Sequence, residues 1–124
     1  MRIQTKRVYE LPDPADGQRI LADRLWPRGL SKAAARIDYW AKGIAPSTAL
    51  RRWYGHDPVK WKAFRRRYFA ELDKNPEGVA DLRRHLGHGT VTLLYGSKEQ
   101  RFNDATALRE YLARRPRGRR LTRA

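Results

Sequence analysis

Three short polar runs hold the residue types from which a ligand site could be built. The first is Asp23-Arg24-Leu25-Trp26-Pro27-Arg28. Two guanidiniums on either side of an indole can grip a phosphate or carboxylate through paired hydrogen bonds. The indole can stack on a base or close a pocket wall. Asp23 is a candidate general base, although a carboxylate among arginines is more simply read as an internal ion pair. The second run is Ala45-Pro46-Ser47. A serine after proline should cap a helix, and the free N–H groups at a helix start also receive anions. Arg51 lies one helical turn further on. The third run is Tyr95-Gly96-Ser97-Lys98-Glu99, in which Lys98 is a ligand candidate and Glu99 is its ion partner or an acid catalyst. Asn103 follows as a helix cap. The catalytic candidates are thus Asp23, Ser47 and Glu99, and the ligand-binding candidates are Arg24, Trp26, Arg28, Ser47, Arg51, Lys98 and Asn103.

Other chemistries lack their residues. The chain has no cysteine, which removes a thiol nucleophile, a thiolate metal site and a disulfide framework. No Gly-x-Ser-x-Gly elbow, phosphate-binding P-loop or Gly-x-Gly-x-x-Gly turn occurs. His56, His85 and His88 lack the spacing of metal ligands. No metal and no cofactor is expected.

The elements that must position the three runs follow from hydrophobic periodicity and turn residues. Residues 2–8 and 19–26 alternate as strands, separated by a loop containing Pro12, Pro14 and Gly17. Ser31 caps a short helix through Ala33, Ala34 and Ala35. A short strand is expected within residues 37–45, ending at Pro46. Ser47 opens a helix to about residue 54, and Asp57-Pro58 starts one reaching Asp73. Trp61, Phe64, Tyr68 and Leu72 form its buried stripe. Arg65 falls inside that stripe, where it must snorkel or meet an acid such as Asp23. A further helix spans residues 76–86, Thr90–Tyr95 is the most apolar strand, and the helix after Asn103 carries Leu108, Tyr111 and Leu112. Alternating strands and helices predict an α/β fold: a single small domain with a largely parallel central sheet and helices on both faces. Ligands of such sheets sit beyond the carboxyl ends of the strands, and all three polar runs stand at strand ends.

The balance of charge is strongly basic. Lys plus Arg number 28 against 13 acids, a net charge of +15 in 124 residues. Six of those arginines lie in residues 114–124, which hold no acid; without them 22 bases still face 13 acids, so the body carries +9. Such charge favours contact with polyanions without conferring specificity. The sequence divides into a domain over residues 1–113 and a basic tail, 114–124, expected to lack order. No apolar run reaches membrane-spanning length, and the polar start of the chain has no signal-peptide character. A cytoplasmic protein without a membrane partner is expected.

Longer motifs support a resemblance. Asp23-Arg24-Leu25-Trp26-Pro27-Arg28-Gly29 with Ser31-Lys32 is similar to the signature of the YeaO-like family of uncharacterised bacterial proteins. So are Ala45-Pro46-Ser47, Leu50-Arg51, Trp53, His56-Asp57-Pro58, Trp61, Phe64, Arg67-Tyr68, Glu71-Leu72, Thr92-Leu93-Leu94-Tyr95, Lys98 and Asn103. The resemblance covers about residues 3–112. It implies an α/β sheet and brings no settled activity. Family members usually carry Ala-Ala-Lys-Asp after the last strand and a histidine on each side of the asparagine; this chain has Gly96-Ser97-Lys98-Glu99, Phe102 and Asp104 there. Three functions fit the residues: binding of an anion (phosphate, nucleotide or nucleic acid) at the strand ends, a small enzyme acting on a phosphorylated or nucleotide substrate, or an adaptor offering its basic surface to a protein.

Overall fold

A computed structural model describes residues 2–114; the tail expected beyond Arg114 lies outside them. In chain order the strands are β1 (Arg2–Arg7), β2 (Gln18–Leu21), β3 (Tyr39–Trp40) and β4 (Thr90–Tyr95). The helices are α1 (Lys32–Ala35), α2 (Thr48–Tyr54), α3 (Trp61–Asp73), α4 (Pro76–His85) and α5 (Asp104–Ala113). Single 3-10 turns occupy Pro14–Asp16, Lys42–Ile44 and Pro58–Lys60. The strands form one sheet in the order β1-β4-β2-β3. Every pairing is parallel, with Arg2 opposite Thr90, Gln18 opposite Val91 and Ile20 opposite Tyr39. The expected α/β domain with a parallel sheet is therefore present.

Two strand boundaries differ from expectation. β2 ends at Leu21 rather than running to residue 26. The Ala22 N–H makes one more rung to Leu94 O, after which Asp23 and Arg24 turn their side chains to other segments. In residues 37–45 only Tyr39–Trp40 is strand; the Ala41 N–H to Leu21 O bond is the last rung before the chain tightens into the Lys42–Ile44 turn.

Side-chain alternation divides the core into two faces. Ile20, Val91, Leu93 and Tyr95 pack with Leu50 and Tyr54 of α2, Phe64, Tyr68 and Leu72 of α3, Val79 and Leu82 of α4, and Leu108 and Leu112 of α5. The other face is thinner: Val8, Leu21 and Leu94 meet Trp26, Leu30, Ile37 and Trp40. Helices thus flank both faces unequally, with the one-turn α1 alone on the second. The residue in the apolar stripe of α3 finds a partner other than Asp23. Arg65 pairs with Glu110 of α5 at 2.9 Å, because α3 and α5 lie side by side.

The second face is fastened by a buried ionic network. Asp16 and Arg19 are 3 % and 5 % exposed. The Arg19 guanidinium donates to Asp16 and to the carbonyls of Ala35 and Arg36, which end α1. Lys6 of β1 meets Asp16 at 3.0 Å, and Thr92 of β4 donates its hydroxyl to the Asp16 carbonyl. Gly17 is required beside it: φ is +62°, and a Cβ would lie 2.1 Å from Thr90 O. Burial opposes ionisation of Asp16, yet bonds from Lys6, the Asp13 N–H and Arg19 hold its carboxyl below the usual range. Removing Arg19 leaves Asp16 to Lys6 and the Asp13 N–H and strips the Ala35 and Arg36 carbonyls of their donor. Arg19→Met should cost about 1–3 kcal/mol, and adding Asp16→Leu should not restore it, because the two carbonyls stay unpaired and Lys6 loses its acid. Because the Asp16 value is depressed, its contribution is full above the ordinary 3.8 and drains as pH falls through the folded value. Urea unfolding of the single and double variants from neutral to strongly acid pH measures both effects.

Candidate functional site

Parallel pairing brings the carboxyl ends of the strands to one edge, where a cavity of about 620 Å³ opens. Asp23 and Leu25 enter it from the chain leaving β2. Pro46 precedes α2, which adds Thr48, Arg51, Arg52 and Tyr54. Gly96 and Ser97 follow β4, and Asn103 and Asp104 start α5. All three polar runs therefore contribute.

Two adjacent residues hold this edge together. Asp23 Oδ2 accepts the Gly96 N–H at 2.8 Å, joining the end of β2 to that of β4. Arg24 donates Nε to Pro46 O at 3.1 Å and Nη2 to Ala45 O at 3.0 Å, joining it to the start of α2. Arg24 is thereby occupied by backbone carbonyls. Trp26 faces the thin core: its indole N–H reaches Leu30 O at 2.7 Å and its ring meets Trp40 edge-on at 5.5 Å. Arg28 is exposed and outside the cavity wall, its carbonyl accepting the Tyr9 hydroxyl.

Ser47 is the α2 cap, accepting the Leu50 N–H at 3.1 Å. Its hydroxyl donates to Glu71 Oε2 at 2.6 Å and its backbone N–H to Oε1 at 2.9 Å, so Glu71 grips both groups. That hydroxyl proton is engaged and the residue does not line the cavity. Lys98 is exposed, and neither it nor Glu99 forms an ion pair among the described residues. Glu99 instead offers its carbonyl to Asn103 Nδ2 at 2.9 Å. Asn103, buried, caps α5 by accepting the Thr106 N–H at 2.9 Å. Of the ligand-binding candidates, the cavity wall takes in Arg51 and Asn103; of the catalytic candidates, Asp23.

Asp104, Arg52, Tyr54 and His56 complete the wall and were absent from the sequence candidates. Asp104 is the first residue of α5, next to Asp23 in space and distant in sequence. Burial, the Asp23 charge and a hydrogen bond between the two carboxyl groups push Asp104 well above the usual carboxylate range, against the pull of Arg51. Asp104 is therefore the acid of the pair that gains proton affinity, and its hydrogen bond to Asp23 shares that proton when it is present. The Tyr54 hydroxyl donates to Phe102 O at 2.7 Å, and burial with nearby Glu99 and Asp57 pushes it up to about 12, so it stays a donor. The one signal for Asp104 in sequence is its place after the capping asparagine. Among the described residues no group of three or more His, Asp or Glu gathers as a metal site would require, and no helix is long and apolar enough to cross a membrane.

The fold and site define a single parallel α/β domain with a polar cavity at its strand-end edge, containing two arginines and a carboxyl pair. The chain belongs to the family described as the inactive DUF488-N3 subclade, whose model matches residues 2–120. It is 41 % identical over 112 residues to the uncharacterized protein YeaO of Escherichia coli (strain K12), covering 90 % of this chain and 97 % of that one. An uncharacterized protein of Mycobacterium tuberculosis (strain ATCC 25618 / H37Rv) is 40 % identical over 111 residues, covering 90 % and 93 %. The YeaO-like resemblance is therefore real. No solved structure matches the chain.

The carboxyl pair sets a pH signature. The Asp104 value is raised, so its protonated form favours the folded state in acid, below the ordinary 3.8, and that advantage drains as pH rises toward the folded value. Urea unfolding between mildly acid and neutral pH should show this decline in the wild type. Asp104→Asn, neutral throughout and able to donate to Asp23, should flatten it and gain stability at neutral pH. A decline of equal size in the variant would contradict the shared proton.

Proposed function

We propose that this protein is a binding domain for a small anion-bearing ligand, a phosphate or nucleotide, held in the strand-end cavity. The observation that carries the reading is the placement of Arg51 and Arg52 together on the wall of that cavity. Both are exposed and form no ion pair among the described residues. A guanidinium offers a planar donor fork matched to a phosphate. The volume of about 620 Å³ suits a small molecule. Asn103 and the Tyr54 hydroxyl are spent on the backbone, so the polar side chains left for a ligand are the arginines, the acids, Thr48, His56 and Ser97. The family description, an inactive subclade, supports binding without turnover.

One observation favours a second reading, a small enzyme acting on a phosphorylated or nucleotide substrate. A carboxyl raised in proton affinity beside a second carboxyl is a pattern that general acid catalysis uses, and Asp104 beside Asp23 has it. Ser47 has no part in that reading, since its hydroxyl serves Glu71.

Thermal melts with inorganic phosphate and with adenine and guanine nucleotides test the proposal. The wild type should be stabilised by at least one of them. Arg51→Ala with Arg52→Ala should lose about 1.5–3 kcal/mol of ligand affinity, the scale of hydrogen bonds to charged groups. Arg28→Lys, outside the cavity, should respond as the wild type does. A ligand effect that survives loss of both arginines would contradict the proposal. Turnover of a nucleotide that disappears in Asp104→Asn would favour the enzyme.

A further inference from the structure

A second surface stands apart from the strand-end cavity and shares no wall residue with it. A groove of about 740 Å³ runs between α3 and α5, lined by Lys62, Arg65, Arg66 and Phe69 on one side and by Glu110 and Arg114 on the other. Its acids are engaged: Glu110 pairs with Arg65 at 2.9 Å, and Asp73, also in the wall, accepts the Tyr111 hydroxyl at 2.7 Å. Lys62 and Arg66, both exposed, form no ion pair among the described residues. They stand four residues apart on α3, one turn and on the order of 6 Å along the axis, and so present a row of charge.

One cation of the groove is also laid on aromatic rings. Arg114 lies 5.1 Å from the Phe69 ring and 5.2 Å from that of Tyr111. A guanidinium backed by a ring is held flat, with its outer face and edge donors available. From Arg114 the chain continues into five more arginines in residues 115–123, without an acid.

Charge decides what can occupy this face. Residues 115–124 add five arginines and no acid, so their charge does not complement it, and a second copy brings another +15. The occupant is a polyanion. Among polyanions, a nucleic acid supplies both groups the face is built for: phosphates for Lys62 and Arg66, and base π-faces for Arg114, already oriented on the Phe69 and Tyr111 rings. An acidic peptide would use only the charge. We infer that the α3–α5 face is a nucleic-acid docking surface, reading the backbone with little sequence preference, independent of the strand-end cavity.

Fluorescence anisotropy of the full chain with a labelled single strand and with its labelled duplex, over a range of salt, tests this. The wild type should bind at least one of them. Lys62→Glu with Arg66→Glu should weaken binding about tenfold or more at low salt. The slope of log affinity on log salt should shrink by about two, for two lost phosphate contacts. The milder Lys62→Gln with Arg66→Gln should act in the same direction, which guards against a fold effect of charge reversal. Arg2→Glu with Lys32→Glu, exposed residues of β1 and α1, makes the same charge change and should cost less than about threefold, a non-specific field effect. Equal losses in the two reversal pairs would reduce the effect to net charge and overturn the inference. So would absence of binding by the wild type, or displacement of the oligonucleotide by polyglutamate as effectively as by unlabelled nucleic acid.

Discussion

The strand-end edge depends on two neighbouring side chains that clasp three segments together. Asp23 holds the Gly96 N–H, and Arg24 holds the carbonyls of Ala45 and Pro46. Without them β2, β4 and the entry to α2 would end near one another with their polar backbone groups unpaired at a half-buried edge, a costly arrangement. With them the loop after β4 and the start of α2 become opposite walls of one cavity. The clasp also explains its own acid pair. Once Asp23 is fixed to Gly96, α5 begins beside it, and burial with the Asp23 charge raises the proton affinity of Asp104.

A chain of this length with no disulfide and no metal cluster among its described residues must specify its fold by packing and by buried polar bonds. The two faces of the sheet divide that work. The thick face is apolar and aromatic, with Tyr54 stacked on Phe64 at 4.3 Å and the Tyr68 hydroxyl bonded to Ile44 O. The thin face has only one turn of helix to cover it, and there Arg19 bonds the end of α1 while Asp16 ties the first crossover to β1 and β4. The polar network sits where apolar cover runs short, which makes it a determinant of register as much as of stability.

What the sequence disclosed was whatever a short stretch of chain decides for itself. Ser31, Ser47, Asp57 and Asn103 each cap the helix or turn that follows, because a cap needs only a side-chain oxygen within three residues. The apolar run in Thr90–Tyr95 marked the central strand, since both of its faces are covered. The parallel order followed from the alternation of element types. The site was legible as a place and much less as a set of residues. Nothing local says whether a guanidinium at a strand exit meets a ligand or a carbonyl, and Arg24 meets carbonyls. Ser47 reads as a cap or an anion contact until Glu71, 24 residues on, is seen to hold it. Asp104 and Arg52 belong to the cavity only through the packing of α5 and α2. Arg65 had no acid within its own helix turn and found one on α5, by tertiary contact alone.

The central claim is that the strand-end edge, and not the general positive charge of the surface, is where a small anion binds. A titration of the isotopically labelled protein with inorganic phosphate, followed through its backbone amide resonances, tests that claim most directly. Saturable shifts should concentrate at Arg51, Arg52, Gly96, Ser97 and Asp104, with the amides of α4 and β1 unmoved. Shifts that are non-saturable and spread over the basic surface, or that centre on α3 and leave Gly96 and Arg51 unchanged, would contradict it.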